Sequence, residues 1–159
     1  IVHRRKTELV VAMAAAGDIP LRPGVATLVA ALVDAQVDLH VATTGTRDWV
    51  EPLLGHHFPH GTFDVVVTGT DVPELKPHPA VYLSVLARAG LSVERTLAVE
   101  DSRNGLHAAH AAGLRCVVTP GRYTDPADVA DADLLVPDAT QLDVQSLVRV
   151  LALPAPSAR

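Results

Sequence analysis

Five short apolar runs recur along this chain, and most are separated by stretches of helical spacing. The runs lie at residues 37–42, 63–67, 96–99, 115–118 and 134–136, and helical patterns at about 46–55, 78–89, 103–112 and 140–152 fall between or after them. Strands joined through a helix cannot be hairpins. They require crossovers, so the sheet they form is parallel, with right-handed connections. A parallel sheet covered on both faces is built from aliphatic side chains rather than from an inside–outside alternation. The composition agrees, with 48% hydrophobic residues and only 3% aromatic ones. We therefore expect an α/β fold with helices on both faces of a parallel sheet, and 159 residues are enough for one such domain with a real core.

Upstream of the alternation, residues 3–17 read as a helix, with an apolar stripe of Leu9, Val10 and Met13 and a stop at Gly17. Residues 18–24 follow as a stiff connector, because Pro20 and Pro23 disfavour helix and extend the backbone. Helical spacing resumes from Val25 to Leu32. No internal repeat is visible, and the tail at 153–159, rich in proline and small residues, is expected to be disordered.

Bulk properties exclude several classes. The net charge is −5, and the triplet Arg4, Arg5 and Lys6 at a helix start reads as a solvated face, so no nucleic-acid partner is expected. No apolar segment approaches the roughly 20 residues that cross a membrane, and no signal-peptide pattern opens the chain. The single cysteine, Cys116, sits in an apolar run and reads as a buried thiol in a reducing compartment, which points to the cytoplasm. The eight histidines show no zinc-binding spacing, and His107 and His110 read as surface or packing residues of a helix. Neither composition nor motif sets an oligomeric state.

The chemistry concentrates where strands end. At Leu97-Ala98-Val99-Glu100-Asp101-Ser102-Arg103-Asn104-Gly105 an apolar strand runs into two adjacent carboxylates and then a helix. Ligands of open parallel sheets bind at that strand end, and paired carboxylates there suit a hard cation and, through it, phosphate. The strand ending at Ala42 runs into Thr43, Thr44, Gly45, Thr46 and Arg47, where hydroxyls and the N–H groups of a helix start favour an anion. Thr44 or Thr46 can equally serve as the helix cap, and the two roles are compatible. In the third loop, Pro77 and Pro79 flank His78 and hold Lys76 at a helix start, where its charge would suit a phosphate. The pair Asp131 and Asp133 precedes its strand. It belongs at the opposite edge of the sheet and reads as a solvated turn.

The order Thr43, then Lys76-Pro77, then Glu100-Asp101-Ser102 with Gly105, resembles the haloacid dehalogenase superfamily, in particular its β-phosphoglucomutase-like and phosphoglycolate phosphatase-like members. Ala108, Ala109, Ala111, Ala112 and Gly113 extend the match, as do Pro23, Gly24, Val25, Leu28 and Leu32, and the whole covers about residues 18–138. The resemblance implies a Rossmann-like core at 18–152, with residues 1–17 the remnant of a helical cap and 18–23 a hinge. It also implies Mg²⁺ as cofactor and a small phosphorylated metabolite as substrate. By position, Thr43 would bind the transferring phosphoryl group and Lys76 would bridge nucleophile and phosphate, both as catalytic residues. Thr44, Gly45 and Arg47 would touch the substrate. Asp101 would be a metal ligand, and Glu100 another, directly or through water.

One element of the family pattern is not in this sequence. The superfamily's nucleophile sits in a strand ending in Asp-x-Asp, and nothing before Thr43 matches it; Asp18, Asp34, Asp38 and Asp48 do not end an apolar strand. We expect the sheet to lack its central N-terminal strand and the chain to be the C-terminal part of a longer enzyme, inactive without that aspartate. The expected reaction is Mg²⁺-dependent phosphate hydrolysis through a phosphoaspartate. The alternatives are a sugar-phosphate mutase of the same superfamily and a catalytically dead relative that only binds.

Overall fold

The computed structural model describes residues 2–153. The tail from Pro154 onward and the side chains of Arg4, Arg5 and Lys6 lie outside the described residues. Helix α1 (Val2–Ala16) and helix α2 (Val25–Asp34) precede the first strand. Then come β1 (His40–Ala42), α3 (Arg47–His57), β2 (Val65–Val67), α4 (Ala80–Ala89), β3 (Leu97–Glu100), α5 (Arg103–Ala111), β4 (Arg115–Val118), β5 (Leu134–Leu135) and α6 (Val144–Leu151). Short 3₁₀ turns occupy Val93–Arg95, Pro126–Val129 and Ala139–Gln141.

Every strand pairing is parallel. β1 pairs with β2 in the register Val41 to Val66, and β3 pairs with β4 in the register Ala98 to Cys116. β5 completes the second sheet, with Val118 opposite Leu135. Among the described residues no ladder joins β1 to β3, so the sheet is divided into a pair and a triplet.

Helices cover both faces, as aliphatic parallel strands require. Cys116 and Val118 face a core shared with Val81, Val85 and Leu86 of α4 and Leu106 and Ala109 of α5. The alternate residue Val117 faces the other way, onto Leu28 and Leu32 of α2 and Leu147 and Val150 of α6. All four residues of β4 are buried, so it is the true interior strand. Helix α1 packs against α3. Among the described residues no helix is long and apolar enough to cross a membrane.

The elements differ in detail from the sequence expectation, each time for a local reason. The run 37–42 contributes only its last three residues, because a ladder forms only where β2 offers a partner. Helix α4 begins at Ala80 rather than 78, since Pro79 takes the N-cap position. The pattern at 140–152 resolves into a 3₁₀ turn and a separate helix α6. The break falls at Asp143, whose Oδ1 accepts from the Ser146 amide at 2.7 Å while Ser146 Oγ accepts from the Asp143 amide at 2.9 Å, a reciprocal capping box.

The solvated-turn reading of Asp131 and Asp133 is corrected in part. Asp133 lies at the start of β4, away from Glu100, as expected. Its carboxylate is only 15% exposed, accepts from the Cys116 amide at 2.7 Å and pairs with His110 Nε2 at 3.2 Å. It anchors the entry of the central strand, and His110 is its partner rather than a plain surface residue. Cys116 is fully buried, and burial, reinforced by the Glu100 carboxylate, pushes its thiol above the ordinary range, so it stays protonated.

Candidate active site

The carboxyl ends of β1 and β3 face each other across the division of the sheet, and one side chain spans it. Lys76 Nζ donates to the carbonyl of Ala42, the last residue of β1, at 2.8 Å, and to Glu100 Oε1, at the end of β3, at 2.5 Å. Both partners are shielded from water, with Lys76 11% and Glu100 8% exposed. Tyr82 of α4 donates its phenolic hydrogen to the same Glu100 oxygen, and the Lys76 ammonium lies 4.8 Å from the centre of the Tyr82 ring. Burial and then the Glu100 charge hold the phenol far above its usual range, so Tyr82 remains a donor. Tyr82 carries no sequence signal of this role. It stands on the helix that follows Lys76, and only folding aims it at β3.

Ser102 and Gly105 explain the rest of the acidic motif. Ser102 is the N-cap of α5, its Oγ accepting from the Gly105 amide at 3.2 Å. Gly105 is needed because a Cβ there would lie 1.8 Å from Glu100 Oε2. Alanine in mid-helix ordinarily stabilises by up to about 1 kcal/mol over glycine. Here Lys76 and Tyr82 pin the carboxylate that would have to move, so we expect Gly105→Ala to destabilise by about 1–3 kcal/mol, measured by urea unfolding. A stabilised variant would show that the carboxylate is not held.

The loop after β1 is latched to the loop after β2. Thr43 donates its amide to Val67 at 3.0 Å, and its hydroxyl accepts from the Gly45 amide at 3.0 Å. The Gly69 amide donates to the Gly45 carbonyl at 2.8 Å, and a Cβ on Gly69 would meet the Thr44 carbonyl at 2.4 Å. Thr44 is exposed. Thr46 takes the N-cap position of α3 without a side-chain capping bond, and its hydroxyl donates to Asp48 instead. Arg47 pairs with Glu51 and Asp71, both at 2.5 Å.

Asp71, absent from the sequence reading, is the hub of this latch. One carboxylate oxygen accepts from the Thr68 amide and hydroxyl, each at 2.7 Å, and from Arg47. The Thr68 bonds first, and then Arg47, hold the acid down at about 2. The folded chain thus binds this proton less tightly than the unfolded chain, whose aspartate titrates near roughly 3.9. Its stabilisation is complete above that value and is lost as pH falls toward about 2. Stability–pH curves of the parent chain and of Asp71→Asn should therefore diverge above about pH 3 and converge in stronger acid; parallel curves would remove Asp71 from the latch.

Thr43, Lys76, Glu100 and Asp101 thus share one edge of the fold. Asp101 is exposed, while its carbonyl accepts from the Gly121 amide at 2.7 Å and from Thr124 Oγ1 at 2.8 Å. Among the described residues no group of three or more His, Cys, Asp or Glu side chains could hold a metal. Mg²⁺ does not need one, since it is commonly held by one or two carboxylates with water and substrate phosphate. The Asp101 carboxylate and the Glu100 oxygen facing Gly105 are carboxylate donors of the kind such an ion takes, with water, phosphate or further protein oxygens to complete its shell.

The family model of the haloacid dehalogenase-like hydrolases matches residues 5–119, most of the chain. The chain belongs to this hydrolase family. It is 45% identical over 144 residues to the protein CbbY of Cereibacter sphaeroides, covering 89% of this chain and 63% of that protein. It is 32% identical over 131 residues to hexitol phosphatase B of Escherichia coli, covering 81% of this chain and 59% of that enzyme. Among solved structures, a mutant CbbY from Rhodobacter sphaeroides in complex with xylulose-(1,5)bisphosphate superposes with a TM-score of 0.83 at 43% identity, covering 92% of this chain and 67% of that one. The chain spans a little under two thirds of the length of the CbbY relative it matches.

Proposed function

We propose that this hydrolase-family chain carries most of the core of a Mg²⁺-dependent phosphatase that acts on a small phosphorylated sugar in the cytoplasm. The observation that supports this most directly is the position of Lys76, a shielded cation at the junction of two strand ends that also present Thr43 and Asp101. The CbbY relative was crystallised with a sugar bisphosphate and the hexitol relative is named a phosphatase, which favours a sugar phosphate over other phosphate esters.

In this proposal each residue acts on charge. Thr43 donates its hydroxyl to a phosphoryl oxygen, with the start of α3 adding amide donors. Lys76, already oriented by Ala42 and Glu100, offsets the charge that builds on the phosphoryl group. Asp101 and the second oxygen of Glu100 hold the metal, which when bound supplies Lewis-acid stabilisation of the phosphoryl oxygens. No ladder joins β1 to β3 among the described residues, and we propose that the Asp-x-Asp strand bearing the nucleophile lies between them. Residues 1–17 would then belong to a cap and 18–23 to its hinge.

The test is phosphate release from p-nitrophenyl phosphate with Mg²⁺, for the 159-residue chain and for a protein with such a strand upstream. Turnover only in the longer protein is expected. Equal turnover in both would require another nucleophile, and none in either would favour a relative that only binds.

A further inference from the structure

The connector between α1 and α2 grips the loop that holds Asp101. Arg22, in the middle of the connector, donates from Nη1 to the Thr119 carbonyl at 2.7 Å and from Nη2 to the Pro120 carbonyl at 2.6 Å, with a longer contact to Thr119 Oγ1 at 3.3 Å. A planar guanidinium spans two consecutive carbonyls with separate nitrogens, so it fixes the direction of the chain as well as its distance. The connector itself is docked beside it: Gly24 has φ +81°, and a Cβ there would lie 2.2 Å from the Thr140 amide nitrogen.

One gripped residue, Thr119, itself holds the acidic pair, and the other, Pro120, directly precedes Gly121, which holds it as well. Thr119 donates its amide to the Glu100 carbonyl at 2.8 Å, Gly121 donates to the Asp101 carbonyl at 2.7 Å, and Thr124 Oγ1 donates to the same carbonyl at 2.8 Å. Gly121 also passes close to the Asp101 carboxylate, since a Cβ on it would lie 3.2 Å from Oδ2. A substituent or a shift of this loop would therefore crowd that carboxylate.

We infer that Arg22 is a positioning residue for Asp101, acting through loop 119–124. The connector and the acidic pair are one mechanical unit: a change in the connector's path pulls on two carbonyls whose neighbours set where the Asp101 carboxylate stands. The importance given to Asp101 rests on the phosphatase reading; the coupling itself does not.

The test is amide hydrogen exchange by NMR on the 159-residue chain, comparing Arg22→Met and Arg22→Lys with the parent. In Arg22→Met we expect Gly121 to exchange at least tenfold faster, with Leu106 in α5 unchanged. Lysine offers a single ammonium in place of the fork, so Arg22→Lys should fold and still speed Gly121 at least threefold. Unchanged exchange at Gly121 in the lysine variant, or an equal acceleration at Leu106, would overturn the coupling, since the second result means only global destabilisation. Neither readout requires turnover or metal, so such a failure would leave the phosphatase reading standing.

Discussion

Replacing Lys76 with methionine should cost the fold about 3–5 kcal/mol, more than other single changes at this edge, because it strands a buried carboxylate. Glu100 is 8% exposed, and its Oε1 would keep only the Tyr82 hydroxyl. The Ala42 carbonyl, at the end of β1, would lose the Lys76 ammonium as well. Urea unfolding measures the loss. The double variant Lys76→Met with Glu100→Gln should recover a large share, since it removes the unpaired charge together with its partner. A loss below about 1 kcal/mol would put the pair in the class of exposed ion pairs and contradict its burial. The same substitution should sharply reduce turnover in the enzyme with the proposed upstream strand.

Asp101→Asn is expected to do the reverse: little to stability, much to activity. Asp101 is exposed, and its link to the fold is the backbone carbonyl, which the substitution leaves in place for Gly121 and Thr124. The unfolding midpoint should move by less than about 0.5 kcal/mol in free-energy equivalent. In the longer enzyme, turnover of p-nitrophenyl phosphate should fall by roughly 10²–10³-fold or more, the scale on which removing one stabilising group from a charged transition state acts. Normal turnover would overturn the proposed role of Asp101 as a metal ligand. A large loss of stability would instead assign its charge to the fold.

The contrast between Lys76 and Asp101 shows why one position was easier to weigh from sequence than the other. Asp101 ends an apolar strand beside a second carboxylate, and that local pattern already fixes which edge of the sheet it occupies. Lys76 had only two prolines to distinguish it from any surface lysine. Its significance comes from Ala42 and Glu100, 34 and 24 residues away, which become neighbours only once β1 and β3 are placed. Arg47 shows the same dependence on tertiary structure: it opens α3 beside Thr43 and Thr44, and its side chain turns to Asp71, 24 residues on.

Short-range pattern alone sets the class of fold and the edge of the sheet at which the candidate site residues gather. Both follow from patterns a few residues long: aliphatic runs that only a covered parallel sheet can bury, a serine positioned to cap α5, a glycine one turn inside it. Tertiary structure decided the partners. It divided the strands into a pair and a triplet, set Lys76 across the division, aimed Tyr82 at Glu100, gave Asp133 to the start of β4, and carried Arg22 onto carbonyls 97 and 98 residues away. A hydrogen bond depends on position to within a few tenths of an ångström, and side chains so far apart in the chain acquire such positions only when the strands between them have packed.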